Sequence, residues 1–200
     1  MSAAVSLLAS TYNLANTAYH EAGHALACLM WLGSFEYVTI EPRTFDDGHL
    51  RHHHHWPFAH GARVPLVLRR SRALCDLRFA LAGFAAEEIY NGCETDEIRD
   101  LLAEDTFDDE QEHDNGVARV SVWRAYACSS WVKQRQRLVA QYELTKEFLL
   151  EHRLALAAVA STLLTAGTLA GHEVESICEG RLHHARWRSR GLPVFQGVLS

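Results

Sequence analysis

Tyr19-His20-Glu21-Ala22-Gly23-His24-Ala25, in one-letter code Y-H-E-A-G-H-A, holds the pattern H-E-x-x-H. On a helix, residues i and i+4 share a face, so His20 and His24 can grip one metal ion together. Glu21 stands beside them, placed as the base for a water molecule. Metal-assisted hydrolysis, most often of a peptide bond, is the chemistry this arrangement serves. A chain with 13 histidines meets such a pattern by chance more readily than most. The flanks argue against chance. Leu14, Ala15, Ala18, Ala22, Ala25, Leu26 and Leu29 make the helix apolar and predict that it is buried. Buried histidines and a buried glutamate need partners. Gly23 inside a helix costs about 1 kcal/mol against alanine, which points to close packing or a close backbone approach.

Outward from the motif, 200 residues suit one domain, and 48% apolar residues are enough for a core. The net charge of −6 disfavours nucleic acid, which needs a basic face. Cys28, Cys75, Cys93, Cys128 and Cys178 are odd in number and form no C-x-x-C pair. They read as reduced, mostly buried thiols of a cytoplasmic protein. The start, M-S-A-A-V-S-L-L-A-S, lacks a secretory signal's basic residues. The longest uncharged stretch, Leu154 to Gly171, is rich in Ala, Thr, Ser and Gly, and reads as a packed bundle helix rather than a membrane span. No G-x-x-x-x-G-K-[ST] occurs, so these residues hold no P-loop.

The pattern along the chain predicts a metal helix over about 11–32, ended by Gly33, and a strand over Phe35 to Glu41 stopped by Pro42. A turn at Asp47-Gly48 and a short second strand at His49 to His52 follow, then loop over 57–65. Helices are predicted over about 71–91, with Leu74, Leu77, Phe79, Leu81, Phe84 and Ile89 as apolar positions, and over 117–131, 133–166 and 170–179. Residues 94–114 are crowded with acids and read as a solvated segment. The run His52-His53-His54-His55, with His49 and His60, reads as a solvated cluster that binds metals loosely, or as a second metal site or pH-sensitive lip. The result is a mainly α domain over 1–180 with one small β element, an edge strand or hairpin beside the active site, and a basic tail over 181–200 carrying Arg181, Arg186, Arg188 and Arg190.

A catalytic zinc takes three protein ligands and keeps one position open. Spacing leaves Glu87, Glu88, Asp109, Glu112, His113 and Asp114 as candidates for the third ligand. A-Y-H-E-A-G-H-A at 18–25, V-T-I-E-P-R at 38–43, L-A-G-F-A-A-E-E-I-Y-N-G at 81–92 and T-L-A-G-H-E-V-E-S-I at 168–177 together resemble the peptidase domain of the FtsH family, the membrane-anchored ATP-dependent zinc proteases. The resemblance covers about residues 11–179. It implies a helical zinc-metallopeptidase domain with one catalytic zinc on His20, His24 and Asp114. It also implies that Glu87 and Glu88 lie close by and orient a ligating histidine. The segment between Gly92 and Asp114 is longer and more acidic than the family's short lead into its aspartate, and the family's ATPase module and membrane helices have no counterpart in these residues.

The mechanism implied uses Glu21 as base and then as acid. Tyr37, Val38, Thr39 and Ile40 are expected to hold an extended peptide by edge pairing, which reads backbone more than side chains. The expected partner is a peptide or an unfolded protein, cleaved without ATP, with no nucleic acid and no membrane span. A homo-oligomer and a separate ATPase partner both remain open. A second function class is a catalytically silent zinc-binding module that binds or regulates. The intact Glu21 favours the enzyme.

Overall fold

The computed structural model describes residues 3–41, 49–52, 66–93, 114–127 and 130–182. The turn at 47–48, the loop at 57–65, the rest of the histidine run, Cys128, the acidic residues 94–113 and the tail beyond Leu182 lie outside the described residues.

The motif helix, α1, runs Ala3–Ala27, and its end widens into a π-helical turn, Cys28–Leu32. Gly33 ends it at φ 107°, a conformation that favours glycine, and its N–H caps the Cys28 carbonyl. Strand β1 is Phe35–Thr39 and β2 is His49–His52. Helix α2 spans Leu66–Asn91, α3 Asp114–Tyr126, α4 Trp131–Glu151 and α5 Arg153–Ala166. Strand β3, Thr168–Ala170, leads into α6, Gly171–Cys178. The fold is mainly α with a small β element, as the periodicity predicts.

Several boundaries and one side chain depart from expectation, and α1 and α2 start earlier than predicted, at Ala3 and Leu66. The long helix over 133–166 is two helices, α4 and α5, bent 80° apart at His152. The His152 ring is buried, its Nδ1 pairs with the Phe148 carbonyl at 2.8 Å, and its face lies 4.7 Å from the Phe148 ring. Helix α3 starts at Asp114 and stops at Tyr126, short of Trp131. Leu14, expected on the buried face, is 42% exposed, whereas Ala18, Ala22, Ala25 and Leu26 are sealed in the core. No single described helix is long and apolar enough to cross a membrane.

The sheet corrects the expected substrate strand. Its order is β2-β1-β3, antiparallel throughout. Tyr37, Val38 and Thr39 pair with Arg51, Leu50 and His49 on one side, and with Ala170, Leu169 and Thr168 on the other. The Ile40 N–H donates to the Gly167 carbonyl at 2.9 Å. Strand β1 is therefore central, its ladder bonds are spent, and Val38, Thr39 and Ile40 are buried. It offers no free edge to an extended peptide.

Helices α1 and α2 form an antiparallel pair with a readable register. Asn91 donates to Asn16 at 2.9 Å, and Tyr19 stacks on Tyr90 at 4.4 Å. Next along the pair, His20 meets Glu87 and His24 meets Phe79. Between these contacts a Cβ on Gly23 would run into the Ala82 carbonyl oxygen and lie 2.7 Å from the Ala86 Cβ. The glycine that weakens the helix locally is what lets the two backbones meet.

The opposite face of α2 rests on α3 and α4. Arg78 is fully buried, with its guanidinium 5.1 Å from the centre of the Trp31 ring and its Nε donating to Gln141 Oε1 at 2.9 Å. Gln141 Nε2 in turn donates to the Tyr126 hydroxyl at 2.8 Å, so α4 ties α2 to α3. The Cys28, Cys75, Cys93 and Cys178 thiols are free, and all but Cys93 are buried. Burial pushes the Cys28 thiol up to about 12 and those of Cys75 and Cys178 to about 11, which keeps them protonated and unreactive.

Replacing Gly23 with alanine raises helix propensity by about 1 kcal/mol. The overlap with α2 opposes that gain, and overpacking of a filled site costs about 1–3 kcal/mol or more. Gly23→Ala is expected to destabilise the domain in denaturant titration. A stabilised variant would show that the helices do not meet at this point.

Candidate active site

His20 and His24 lie one helical turn apart on α1, and each directs its Nδ1 to an acceptor on α2. His24 Nδ1 lies 2.9 Å from the Phe79 carbonyl, which can only accept, so this nitrogen carries the proton. His20 Nδ1 donates to Glu87 Oε1 at 2.6 Å. Both Nε2 lone pairs are thereby left facing inward, where the two nitrogens stand 2.9 Å apart. Asp114 Oδ2 completes a triangle, 3.0 Å from His20 Nε2 and 2.9 Å from His24 Nε2. Asp114 opens α3, where a carboxylate in the first turn is favoured by the helix dipole.

Two imidazole nitrogens and one carboxylate oxygen converge on a single point, an arrangement that suits a bound cation. Among the described residues, His20, His24 and Asp114 are the one group able to hold a metal ion by geometry. Tetrahedral ligands about 2.0–2.1 Å from zinc stand about 3.3 Å apart. The triangle has to open by only a few tenths of an ångström, and the donor set fits zinc.

Burial pulls the His20 pKa down, but hydrogen bonds that the ring donates to Asp114 and Glu87 outweigh it and hold the imidazole well above its usual range. Burial raises Asp114, yet the charges and hydrogen bonds of His24 and His20 prevail and keep its carboxyl well below the ordinary carboxylate value. The two directions agree: without a metal, a proton on His20 stands in for the cation. Glu21 is 4% exposed, and burial raises its pKa. Its Oε2 has no hydrogen-bond partner among the described residues. A buried carboxylate oxygen left open beside a metal triangle matches what a general base requires.

The predicted site residues thus separate. His20, Glu21, His24 and Asp114 come together, with Glu87 on His20. Glu88 points elsewhere, correcting the expectation that both glutamates orient a histidine. Its Oε2 accepts from the Tyr142 hydroxyl at 2.6 Å and its Oε1 from Lys146 Nζ at 2.7 Å, both on α4. Burial raises the Glu88 pKa, but Lys146 and Tyr142 more than offset it and hold the carboxyl below the usual range. Adjacent residues on a helix point about 100° apart, so only one of the two can face α1.

Two contributors had no signal of their own in the sequence. The Phe79 carbonyl is a backbone group. Gly83 lies against the His20 ring, where a Cβ would come within 2.5 Å of Cε1 and Nε2. Phe79, Gly83 and Glu87 are spaced four apart on one face of α2, so the antiparallel register would have named them once the Glu87 contact was known.

The fold and this site define a candidate metallopeptidase domain of the H-E-x-x-H kind. The chain is 31% identical to the ATP-dependent zinc metalloprotease FtsH of Thermus thermophilus, over 88% of this chain and 30% of that protein. It is 29% identical to the protein of the same name from Lachnoclostridium phytofermentans, over 81% of this chain and 29% of that protein. The chain therefore spans about 30% of the length of these relatives. No family model matches it. The chain carries an FtsH-like peptidase domain.

Two outcomes follow from the geometry. Gly83→Ala is expected to push the His20 ring aside and weaken zinc binding at least about tenfold, on the scale of other groups that orient a ligand. Unchanged affinity, measured by competition with a chelator, would contradict the seat described for His20. The second outcome concerns pH. Because His20 is raised in the folded chain, its contribution to the stability of the metal-free domain is full below about pH 6.5 and is lost as pH rises through the raised value. Zinc needs the bare nitrogen, so its stabilising effect runs the other way. The Tm difference between zinc and EDTA samples is expected to widen from about pH 6.5 upward. A difference that narrows would count against proton–metal competition at His20.

Proposed function

We propose that this chain is a zinc-dependent metallopeptidase that hydrolyses peptide bonds in peptides or unfolded proteins, without ATP. The observation that carries the reading is the triangle of His20 Nε2, His24 Nε2 and Asp114 Oδ2, with edges of 2.9–3.0 Å, beside Glu21 Oε2, which has no hydrogen-bond partner among the described residues. The relatives' names, which specify zinc metalloproteases, support it.

In this reading His20, His24 and Asp114 hold the ion, which when bound supplies Lewis acidity that polarises a carbonyl and acidifies water toward a pKa of about 7. Glu21 Oε2 accepts the proton as the water oxygen bonds to the scissile carbonyl carbon. Burial raises its pKa, which favours holding that proton until it returns to the amine nitrogen as the C–N bond breaks. Glu87 and the Phe79 carbonyl keep both imidazoles in the tautomer that turns Nε2 inward. The 200 residues hold no P-loop, so any ATP-driven unfolding of a folded substrate would come from another module.

Casein hydrolysis without ATP tests the proposal. Glu21→Gln is expected to keep zinc and lose about 10²-fold or more in rate, the scale of a general base. Asp114→Ala is expected to lose zinc together with activity. A wild-type protein that binds zinc and cleaves nothing would replace the enzyme with a zinc-binding module.

A further inference from the structure

Both ligating histidines lean on acceptors of α2, and each acceptor has a sequence neighbour that α4 holds. Phe79, whose carbonyl takes the His24 proton, follows Arg78, and Arg78 Nε donates to Gln141 on α4. Glu87, the partner of His20, precedes Glu88, and Glu88 is held by Tyr142 and Lys146 on α4. The two tethers stand ten residues apart along α2 and flank the metal-binding face at either end.

We propose that α4 is the strut that aims the two histidines. Lys146 and Tyr142, acting through Glu88, and Gln141, acting through Arg78, fix the rotation of α2 and with it the positions of Glu87 and the Phe79 carbonyl. They are positioning residues: none of them touches a ligand atom.

The geometry gives the idea its force. Side-chain atoms ride about 6 Å from a helix axis, so a roll of about 10° moves a carboxylate by about 1 Å. That is the margin between a hydrogen bond and none. Rolling α2 so as to lift Glu87 from His20 would also strip Glu88 from two donors, one on each of its oxygens. An exposed ion pair would resist weakly. Here the Tyr142 ring is buried, and the Glu88 and Lys146 side chains are only 16% and 26% exposed.

The inference rests on the zinc reading, and the test separates the two. Zn2+ affinity by chelator competition and the visible absorption of the Co2+-loaded protein are measured for wild type, Lys146→Met, Tyr142→Phe, Gln141→Leu and Lys146→Arg. Arg72→Met, which breaks the Arg72–Asp76 pair at 2.8 Å on α2, is the control. The first three substitutions are expected to weaken Zn2+ binding about threefold to tenfold, below the 10–100-fold of groups bonded directly to a ligand. They are also expected to shift the Co2+ bands. Lys146→Arg should return affinity to within about twofold and restore the spectrum, and Arg72→Met should leave both unchanged. Variants that lose thermal stability yet keep wild-type Zn2+ affinity and Co2+ bands would reduce the tethers to packing and overturn the strut while leaving the metal site standing. A wild-type chain that takes up neither metal would overturn both.

Discussion

The close approach of α1 to α2 is the constraint on which the rest of the molecule depends. A glycine on each helix makes it possible: Gly23 against the Ala82 carbonyl, and Gly83 against the His20 ring. Only at this separation can an imidazole on one helix reach a carboxylate or carbonyl on the other at 2.6–2.9 Å. Those outer hydrogen bonds decide which nitrogen of each ring faces inward. The chemistry of the site therefore begins in a packing choice, two residues without side chains, made at some cost to helix propensity.

The crossing also concentrates charge. Glu21, Glu87, Asp114, His20 and His24 lie within electrostatic reach of one another in a largely buried place. Burial alone would neutralise the carboxyls and keep the imidazoles uncharged. The network does the reverse for Asp114 and His20. Once a cation displaces the His20 proton, the fold holds a negative oxygen and two lone pairs in register for it, and the scaffold behind them, Arg78 on Trp31 and Gln141 between α2 and α3, keeps that register from relaxing.

Much of this was legible in the sequence where local rules suffice. The motif helix, the strand at Phe35, the short strand at His49 and the amphipathic α2 follow from periodicity and turn residues. His20, Glu21 and His24 follow from the i, i+4 rule. Asp114 did not follow from spacing, because 90 residues separate it from His24; it came from the resemblance, and the structure brings it to the histidines. The break at His152 carries no glycine or proline, and the bend rests on a buried ring bonded to its own helix, which no local signal announces. Thr168–Ala170 is too short to read as a strand, and that omission turned a central strand into an expected edge. The parting of Glu87 from Glu88 depends on the rotational phase of α2, which is set by neighbours far away in the chain.

The register between α1 and α2 has a consequence for how such a chain tolerates change in length. Asn16, His20 and His24 step by four along α1, while their partners Asn91, Glu87 and Phe79 step by four and then by eight the other way along α2, like the teeth of a rack. One residue inserted between Asn16 and His24 would turn everything on one side of it by about 100°. Partners could then form before the insertion or after it, but not both. Outside such a pair added length costs little: doubling a flexible loop costs about 0.6 kcal/mol in closure entropy. Length is thus frozen inside the helix pair, whereas a loop outside it can lengthen at little cost to the metal triangle.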